Sequence, residues 1–157
     1  MLQLNEVGLE QAMKHLVNLT NAMKSVYVHA GHYHYSHDYL DVEYKKTNEL
    51  VILQQKVIEA LNPLRDGLRE NDKARLETST GEELSNILKF RYRSVGNFCK
   101  PHLTFTRFTS NQEDILPSLP SKEIFNGIYN SLGVYELGDN GTCTYLIRTW
   151  NLQSNII

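Results

Sequence analysis

The spacing of apolar residues divides the first part of the chain into one predicted helix and two predicted strands. Across residues 5–24 the apolar positions recur every three or four residues, which predicts a helix with a single apolar face. From Val26 onward the period changes to two, and β-branched and aromatic residues become frequent, which is typical of strands. The polar residues 36–38 predict the turn between two antiparallel strands.

The middle of the chain returns to helical spacing. A second helix is predicted to begin at Thr47 and to end near Pro63, because proline cannot continue a helix interior. Residues 65–79 are charged and poor in apolar side chains, which predicts an exposed connection. Thr80 and Glu83 then have the spacing of a capping box, which predicts a third, shorter helix.

The last third of the chain mixes both periods. Residues 100–108 have a strand-like composition, and residues 124–132 carry apolar side chains at helical spacing, which predicts a short last helix. A turn is predicted at residues 138–141, followed by a strand over residues 142–152. Helices and strands are interspersed and no linker or repeat divides them. We therefore expect an α+β fold in a single domain over residues 1–157.

Composition and charge narrow the classes of function. The chain has 157 residues, 41% of them hydrophobic and 22% charged, which is typical of a globular protein. Its net charge of -2 excludes general binding to a polyanion, so any contact with phosphate must come from a local patch. Cys99 and Cys143 are too few for a disulfide framework and lack metal-site spacing. Because neither a membrane span nor a secretory signal is evident, we expect a cytoplasmic protein without a membrane partner.

The strongest chemical signal lies in the predicted strand at residues 100–108. Residues two apart on a strand point to the same face, so His102, Thr104 and Thr106 are expected to share one face. Leu103 and Phe105 are expected to anchor the other face in the core. An imidazole can transfer a proton near neutral pH, and a neighbouring hydroxyl can donate to a phosphate oxygen. The alternative is an ordinary strand with a hydrogen-bonded histidine and threonines that favour β structure.

Basic residues precede and follow this motif. Lys89, Arg91 and Arg93 alternate along the chain, and Lys100 and Arg107 flank the histidine more closely. If they converge, they form a positive rim that attracts a phosphate toward the histidine. The alternative, equally open from the sequence, is an ordinary solvated face.

The segment KPHLTFTRF resembles the second H-x-T/S motif of the 2H phosphoesterase superfamily, which includes 2′-5′ RNA ligase-like proteins and cyclic phosphodiesterases. The preceding segment YLDVEYKKTNELVILQQKVIEALNPLR is similar to the family's strand–helix unit. The tail IYNSLGVYELGDNGTCTYLIRTWNL is similar to a closing helix, turn and strand of some members. The resemblance covers most of the chain from Ser25 onward, and it implies two lobes of antiparallel sheet with flanking helices.

The resemblance also implies an activity. Family members hydrolyse a 2′,3′-cyclic or 2′,5′-linked phosphodiester of a nucleotide or RNA end, with one histidine as base and the other as acid, and without a metal or other cofactor. On this chain His102 would transfer a proton and Thr104 would donate to the phosphate. Lys100 and Arg107 would bind the phosphate. The alternative, from another class, is a catalytically incomplete module that binds nucleotide or RNA through one half-site.

The family's first H-x-T motif has no convincing counterpart in this sequence. It should precede the first helix, and the chain begins almost at that helix, so we expect an N-terminally truncated version of the fold. An open sheet edge would result, and such an edge favours a homodimer. His34-Tyr35-Ser36 has the pattern H-x-S and is a candidate replacement, although it follows the first helix.

A cluster of histidines offers a rival interpretation. Four of them lie within residues 29–37, and His32 and His34 would share a strand face. Two imidazoles on one face can bind zinc or copper when Asp38, Asp41 or Glu43 completes the site. The other alternative is an exposed hairpin that is rich in histidine, namely His29, His32, His34 and His37. No recognised ligand spacing is present, so the sequence does not predict a metal site.

Overall fold

The computed structural model describes residues 4–68, 70–139 and 142–154, and it confirms the α+β class. The helices are α1 (Glu6–Ala22), α2 (Asn48–Leu61), α3 (Glu70–Arg75) and α4 (Gly81–Phe90), with 3₁₀ turns at Asn62–Leu64, Gly96–Phe98, Glu113–Ser118 and Lys122–Phe125. The strands are β1 (Val26–Val28), β2 (Ala30–Ser36), β3 (Tyr39–Tyr44), β4 (His102–Arg107), β5 (Gly127–Tyr129), β6 (Ser131–Leu137) and β7 (Cys143–Asn151). None of the described helices is long and apolar enough to cross a bilayer.

The backbone divides into two compact units. The first unit comprises Met1–Ser25, Val51–Cys99 and Asn130–Ile157, and the second comprises Val26–Leu50 and Lys100–Tyr129. Strands β6 and β7 form the sheet of the first unit, and the other five strands belong to the second. The expectation of a single domain stays a prediction.

In the first unit, helix α1 begins at a capping residue. The side-chain oxygen of Asn5 accepts a hydrogen bond of 2.8 Å from the backbone N–H of Gly8, which satisfies one free donor of the first turn. Ala12, Leu16 and Thr20 recur at helical spacing and are buried, so the helix predicted over residues 5–24 is confirmed. The Thr20 hydroxyl donates to the Leu16 carbonyl at 2.9 Å, which satisfies a buried polar group.

The charged segment after α2 is more ordered than its composition suggested. It contains α3, and Asp72 there is fully buried with its Oδ1 at 3.4 Å from Nη1 of Arg75. The prediction of an exposed connection over residues 65–79 is therefore wrong for α3. Its first turn is acidic and its last turn is basic, which is favourable for the helix dipole. This charge pattern was present in the sequence, but the prediction relied on apolar residues, which are few here. Thr80 caps α4 by position but without a side-chain hydrogen bond, so the helix is confirmed and the capping box is wrong.

Strands β6 and β7 run antiparallel, from the pair Ser131 and Asn151 to the pair Leu137 and Cys143. The strand predicted over residues 142–152 is confirmed. The turn predicted before it includes two residues, 140 and 141, that lie outside the described residues.

In the second unit, β2, β3 and β4 form an antiparallel sheet with β3 in the centre. Leu40, Val42 and Tyr44 alternate along β3 and are buried, which confirms the period of two. The predicted pairing of β2 with β3 around residues 37–38 is also confirmed. Strand β1 instead pairs with β5, so the first predicted strand divides between two sheets.

The helix predicted over residues 124–132 is wrong. The chain there makes a 3₁₀ turn and then enters β5 and β6. The tertiary partners explain the difference, because Val26 pairs with Tyr129 and the backbone N–H of Ala30 donates to the Asn126 side chain at 2.8 Å. Pairing with a distant strand overrides the helical spacing of a few apolar residues.

Candidate active site

The three-stranded sheet of the second unit carries most of the predicted site residues on one face. Pairing across β3 aligns His32 and His102 with Glu43, and the next row aligns His34 and Thr104 with Asp41. Since alternate residues of a strand share a face, these rows define a polar face. Its members are His32, His34, Ser36, Tyr39, Asp41, Glu43, His102, Thr104 and Arg107.

The His102 ring is exposed and held by the backbone of its own strand. Its Nδ1 lies 2.7 Å from the carbonyl oxygen of Lys100. Because a carbonyl only accepts, Nδ1 carries a proton, and Nε2 of the neutral ring keeps a lone pair. Thr104 is exposed two residues further along the same face. The prediction that the His102 imidazole and the Thr104 hydroxyl share one face of β4 is therefore confirmed.

A bulge in β4 corrects the prediction for the other residues of the motif. Thr104 pairs with Asp41 and Thr106 pairs with Leu40, so Phe105 has no partner in the register. Thr106 follows Leu40 to the opposite face of the sheet, and the predicted sharing of one face by all three polar residues is wrong.

The side chains expected to anchor β4 in the core are exposed. Leu103 is 41% exposed and Phe105 is 40% exposed. The Phe105 ring packs instead against Phe125 at 4.9 Å and Tyr33 at 6.3 Å between centroids. Strand parity identified the face of these residues correctly but not their burial, because a face can be aromatic and still open to solvent.

Two carboxylates lie in the middle of the polar face. Glu43 approaches three positively charged or protonatable groups, with Nε2 of His32 at 3.7 Å, Nδ1 of His34 at 3.8 Å and Nζ of Lys100 at 3.8 Å. Asp41 lies 3.9 Å from Nδ1 of His34 through Oδ2, while its buried Oδ1 has no hydrogen-bond partner within the described part. The sequence placed these carboxylates only as candidate metal ligands. The sequence did contain a signal for their position. Asp41 and Glu43 alternate with the buried apolar residues of β3, so they must lie on the opposite, polar face of the strand.

The candidate replacement motif lies on the same face, although its two residues are not equivalent to the pair on β4. His34 is 39% exposed, and both of its carboxylate contacts are made by Nδ1. The Ser36 hydroxyl lies 2.8 Å from Nδ1 of His37 in the adjacent turn, so it is already engaged. The structure therefore joins His34 to the site more directly than Ser36.

The predicted basic residues divide between the two units. Lys100 contacts Glu43, and the Arg107 guanidinium lies 5.4 Å from the centroid of the Tyr39 ring, a cation–π geometry on the polar face. Lys89, Arg91 and Arg93 belong to the first unit, where Arg93 lies 3.4 Å from Glu83. Lys100 and Arg107 are the two of these basic residues that belong to the same unit as the polar face.

The four histidines of the cluster have different surroundings in the structure. His29 stacks near Tyr27 at 4.7 Å between ring centroids, and His37 lies in the turn between β2 and β3. Among residues 4–68, 70–139 and 142–154, no group of three His, Cys, Asp or Glu side chains is arranged to hold an ion. His32 and His34 both contact the Glu43 carboxylate, through its two different oxygens, at 3.7 and 3.8 Å.

The chemistry available on the polar face is proton transfer and anion binding. Imidazoles project from both β2 and β4, with carboxylates between them and cationic groups at Lys100 and Arg107. The two described cavities, of about 540 and 260 Å³, lie in the first unit and contain none of these residues. In comparisons with known proteins, no protein-family model and no curated protein sequence matches this chain.

Proposed function

We propose that the polar face hydrolyses a phosphodiester at a nucleotide or RNA end, with a 2′,3′-cyclic phosphate as the leading substrate. A single observation carries the proposal. The exposed His102 ring keeps Nε2 free for proton transfer on a face that also holds imidazoles from β2. A 2′,5′-linked diester presents the same chemistry to the same groups.

His102 and His34 take the two proton-transfer roles. The oxygen of a water molecule forms a bond to phosphorus as its proton passes to Nε2 of His102, and the bond from phosphorus to the 2′ oxygen breaks. The His34 imidazolium gives its proton to that departing oxygen. The carboxylates of Asp41 and Glu43 face Nδ1 of His34, which stabilises the positive charge of the acid. Proton exchange with solvent then restores both rings.

The dimensions of the sheet support this arrangement. Neighbouring strands lie about 4.8 Å apart, so the backbones of β2 and β4 are separated by about 10 Å on either side of β3. Imidazoles that project from both strands can therefore approach a phosphate from opposite sides. Thr104 donates to a phosphate oxygen, and Lys100 and Arg107 supply positive charge.

The order of elements from Ser25 onward supports the fold of a 2H phosphoesterase. Strand β3 leads into α2, and the H-x-T strand β4 later pairs beside β3. The order β3, α2 and then β4 is the same as the order in the family, where a strand–helix unit precedes the second motif. The fold assignment belongs to this proposal and rests on the resemblance together with that order.

The test is hydrolysis of the four 2′,3′-cyclic mononucleotides by the purified chain. We expect turnover in the wild type and a loss of about 10²-fold to 10⁴-fold in both His102→Ala and His34→Ala. His29→Ala is the matched control, because His29 is exposed beside Tyr27 and is not a member of the polar face. Unchanged turnover in His102→Ala, or equal losses in all three variants, contradicts the proposal.

A second candidate function is a nucleotide- or RNA-binding module that is catalytically incomplete. The engaged hydroxyl of Ser36 favours it, because the pair on β2 then lacks the free hydroxyl that Thr104 supplies on β4. Calorimetry with the same cyclic nucleotides distinguishes the two functions. Binding that weakens in His102→Ala, in a chain without turnover, identifies a surviving half-site.

A further inference from the structure

We propose that Asp41 and Glu43 make this site select a singly charged phosphodiester over a doubly charged phosphomonoester. The inference rests on the proposed function and deepens it, because it defines the charge of the substrate and explains how the product leaves. It starts from an arrangement that is unexpected for a phosphate site. Two carboxylates lie on the central strand, between the imidazoles that would contact the phosphate.

Both carboxylates are poorly exposed. The side chain of Asp41 is 15% exposed and that of Glu43 is 18% exposed. Solvent and salt therefore screen their charges less than those of surface residues. Oδ1 of Asp41 is buried without a hydrogen-bond partner among the described atoms, so its negative charge is incompletely compensated by the protein.

Asp41 and Glu43 act on a bound phosphate in proportion to its charge. A phosphodiester carries one negative charge, whereas a monoester above its second pKa of about 6 carries two. By Coulomb's law each carboxylate therefore repels the monoester about twice as strongly as the diester. This repulsion offsets the attraction that Lys100, in contact with Glu43, exerts on the second charge.

Hydrolysis itself creates that second charge. Water converts the cyclic diester into a monoester, and the new phosphate group loses a proton near neutral pH. The carboxylates then repel the product more than they repel the substrate. Asp41 and Glu43 therefore act as specificity-determining residues, and their repulsion favours product release.

The test compares two ligands that differ by one charge. Adenosine 3′-monophosphate and its phosphate methyl ester share the nucleoside and the phosphate, and at pH 8 they carry two charges and one. Calorimetry measures both dissociation constants without any need for turnover. We expect the wild type to bind the methyl ester about tenfold more tightly than the monoester.

Removal of one carboxylate should abolish this preference. In Glu43→Gln we expect the monoester to bind about tenfold more tightly than in the wild type, while binding of the methyl ester changes less than about threefold. Asp41→Asn is the second variant, and it should shift the ratio of the two constants in the same direction. Glu113→Gln is the matched control, because it removes the same charge from an exposed position outside the polar face.

The outcomes separate this inference from the proposed function. An unchanged ratio in both Glu43→Gln and Asp41→Asn, or an equal shift in Glu113→Gln, overturns the charge selection even if cyclic nucleotides are hydrolysed. A shifted ratio in a chain without turnover supports the charge selection and contradicts hydrolysis. Absence of binding for both ligands overturns both. Because each ratio compares two ligands on one variant, a partial loss of folded protein does not change it.

Discussion

Thr104 and Thr106 are two positions apart on one strand and yet lie on opposite faces of the sheet. The bulge at Phe105 causes this, since Thr104 pairs with Asp41 while Thr106 pairs with Leu40. Strand parity in the sequence correctly predicted that His102 and Thr104 share a face. It could not predict the bulge, because the register depends on β3 and not on the sequence of β4.

The two threonines offer a matched pair of substitutions. Thr104→Val removes a donor from the polar face, and we expect it to lower kcat/KM for 2′,3′-cyclic nucleotides by about tenfold to hundredfold, the effect of losing a hydrogen bond to a charged group. Thr106→Val makes the same chemical change on the other face and should alter kcat/KM less than about threefold. Equal losses in the two variants would contradict the assignment of faces.

Tyr44 gives a prediction that concerns stability and pH. Burial, and then the hydrogen bond with Tyr129 at 2.6 Å between hydroxyl oxygens, raises the pKa of the Tyr44 phenol well above its usual value. The folded chain therefore holds this proton more tightly than the unfolded chain. The stability that this adds is complete below about pH 10 and is lost as the pH rises above that value.

Tyr44→Phe tests this sign. At pH 8 we expect the variant to be about 1 kcal/mol less stable in urea unfolding, because it loses the hydrogen bond to Tyr129. At pH 11 the difference should shrink, since only the wild type loses stability by ionisation of this phenol. Tyr145→Phe, at a ring that is 65% exposed, is the control and should follow the wild type at both values. A constant difference between pH 8 and pH 11 would contradict the role of this phenol.

At the scale of elements, the hairpin of β2 and β3 fixes which residues form the polar face. Ser36 pairs with Tyr39, so only two residues make the turn, and both have positive φ, 50° for His37 and 67° for Asp38. This is the backbone of a type I′ turn, whose twist matches that of the strands. A slip by one residue would move His32 and His34 to the opposite face.

His37 is less suited to positive φ than Asn is, and this gives an element-scale prediction. Asn tolerates positive φ better, so His37→Asn should stabilise the chain by about 0.5 kcal/mol. A β-branched residue is strained there, so His37→Val should destabilise it by about 1 kcal/mol or more. Both variants lose the contact with Ser36, which makes each the control for the other. Urea unfolding at neutral pH measures both, and a shift of equal sign would contradict the turn type.

Local pattern predicted α1, α2, β3 and β4 because each has a strong period and a clear boundary. It failed where a distant partner decided the structure. The apolar residues Ile124, Phe125 and Ile128 have helical spacing, but pairing of β5 with β1 joins residues about a hundred positions apart. For the same reason the sequence named His34 and His102 separately. It could not show that β2 and β4 border the same central strand.

At the scale of the whole molecule, the structure suggests which sheet edge would form the interface of the predicted homodimer. Strands β6 and β7 pair only with each other among the described strands, so each has one edge without a partner strand. Strand β7 is nine residues long, and its Tyr145 and Leu146 are exposed apolar side chains. A long, exposed and apolar edge favours pairing with another chain.

Leu146→Lys tests this edge, because a lysine on an edge strand opposes pairing with a second sheet. We expect the wild type to sediment as a dimer at high protein concentration and Leu146→Lys to sediment as a monomer. Ser85→Lys adds the same charge at an exposed position of α4, away from the edge, and should remain dimeric. A monomeric wild type at its highest soluble concentration would contradict the homodimer. A dimer that persists in Leu146→Lys would place the interface elsewhere.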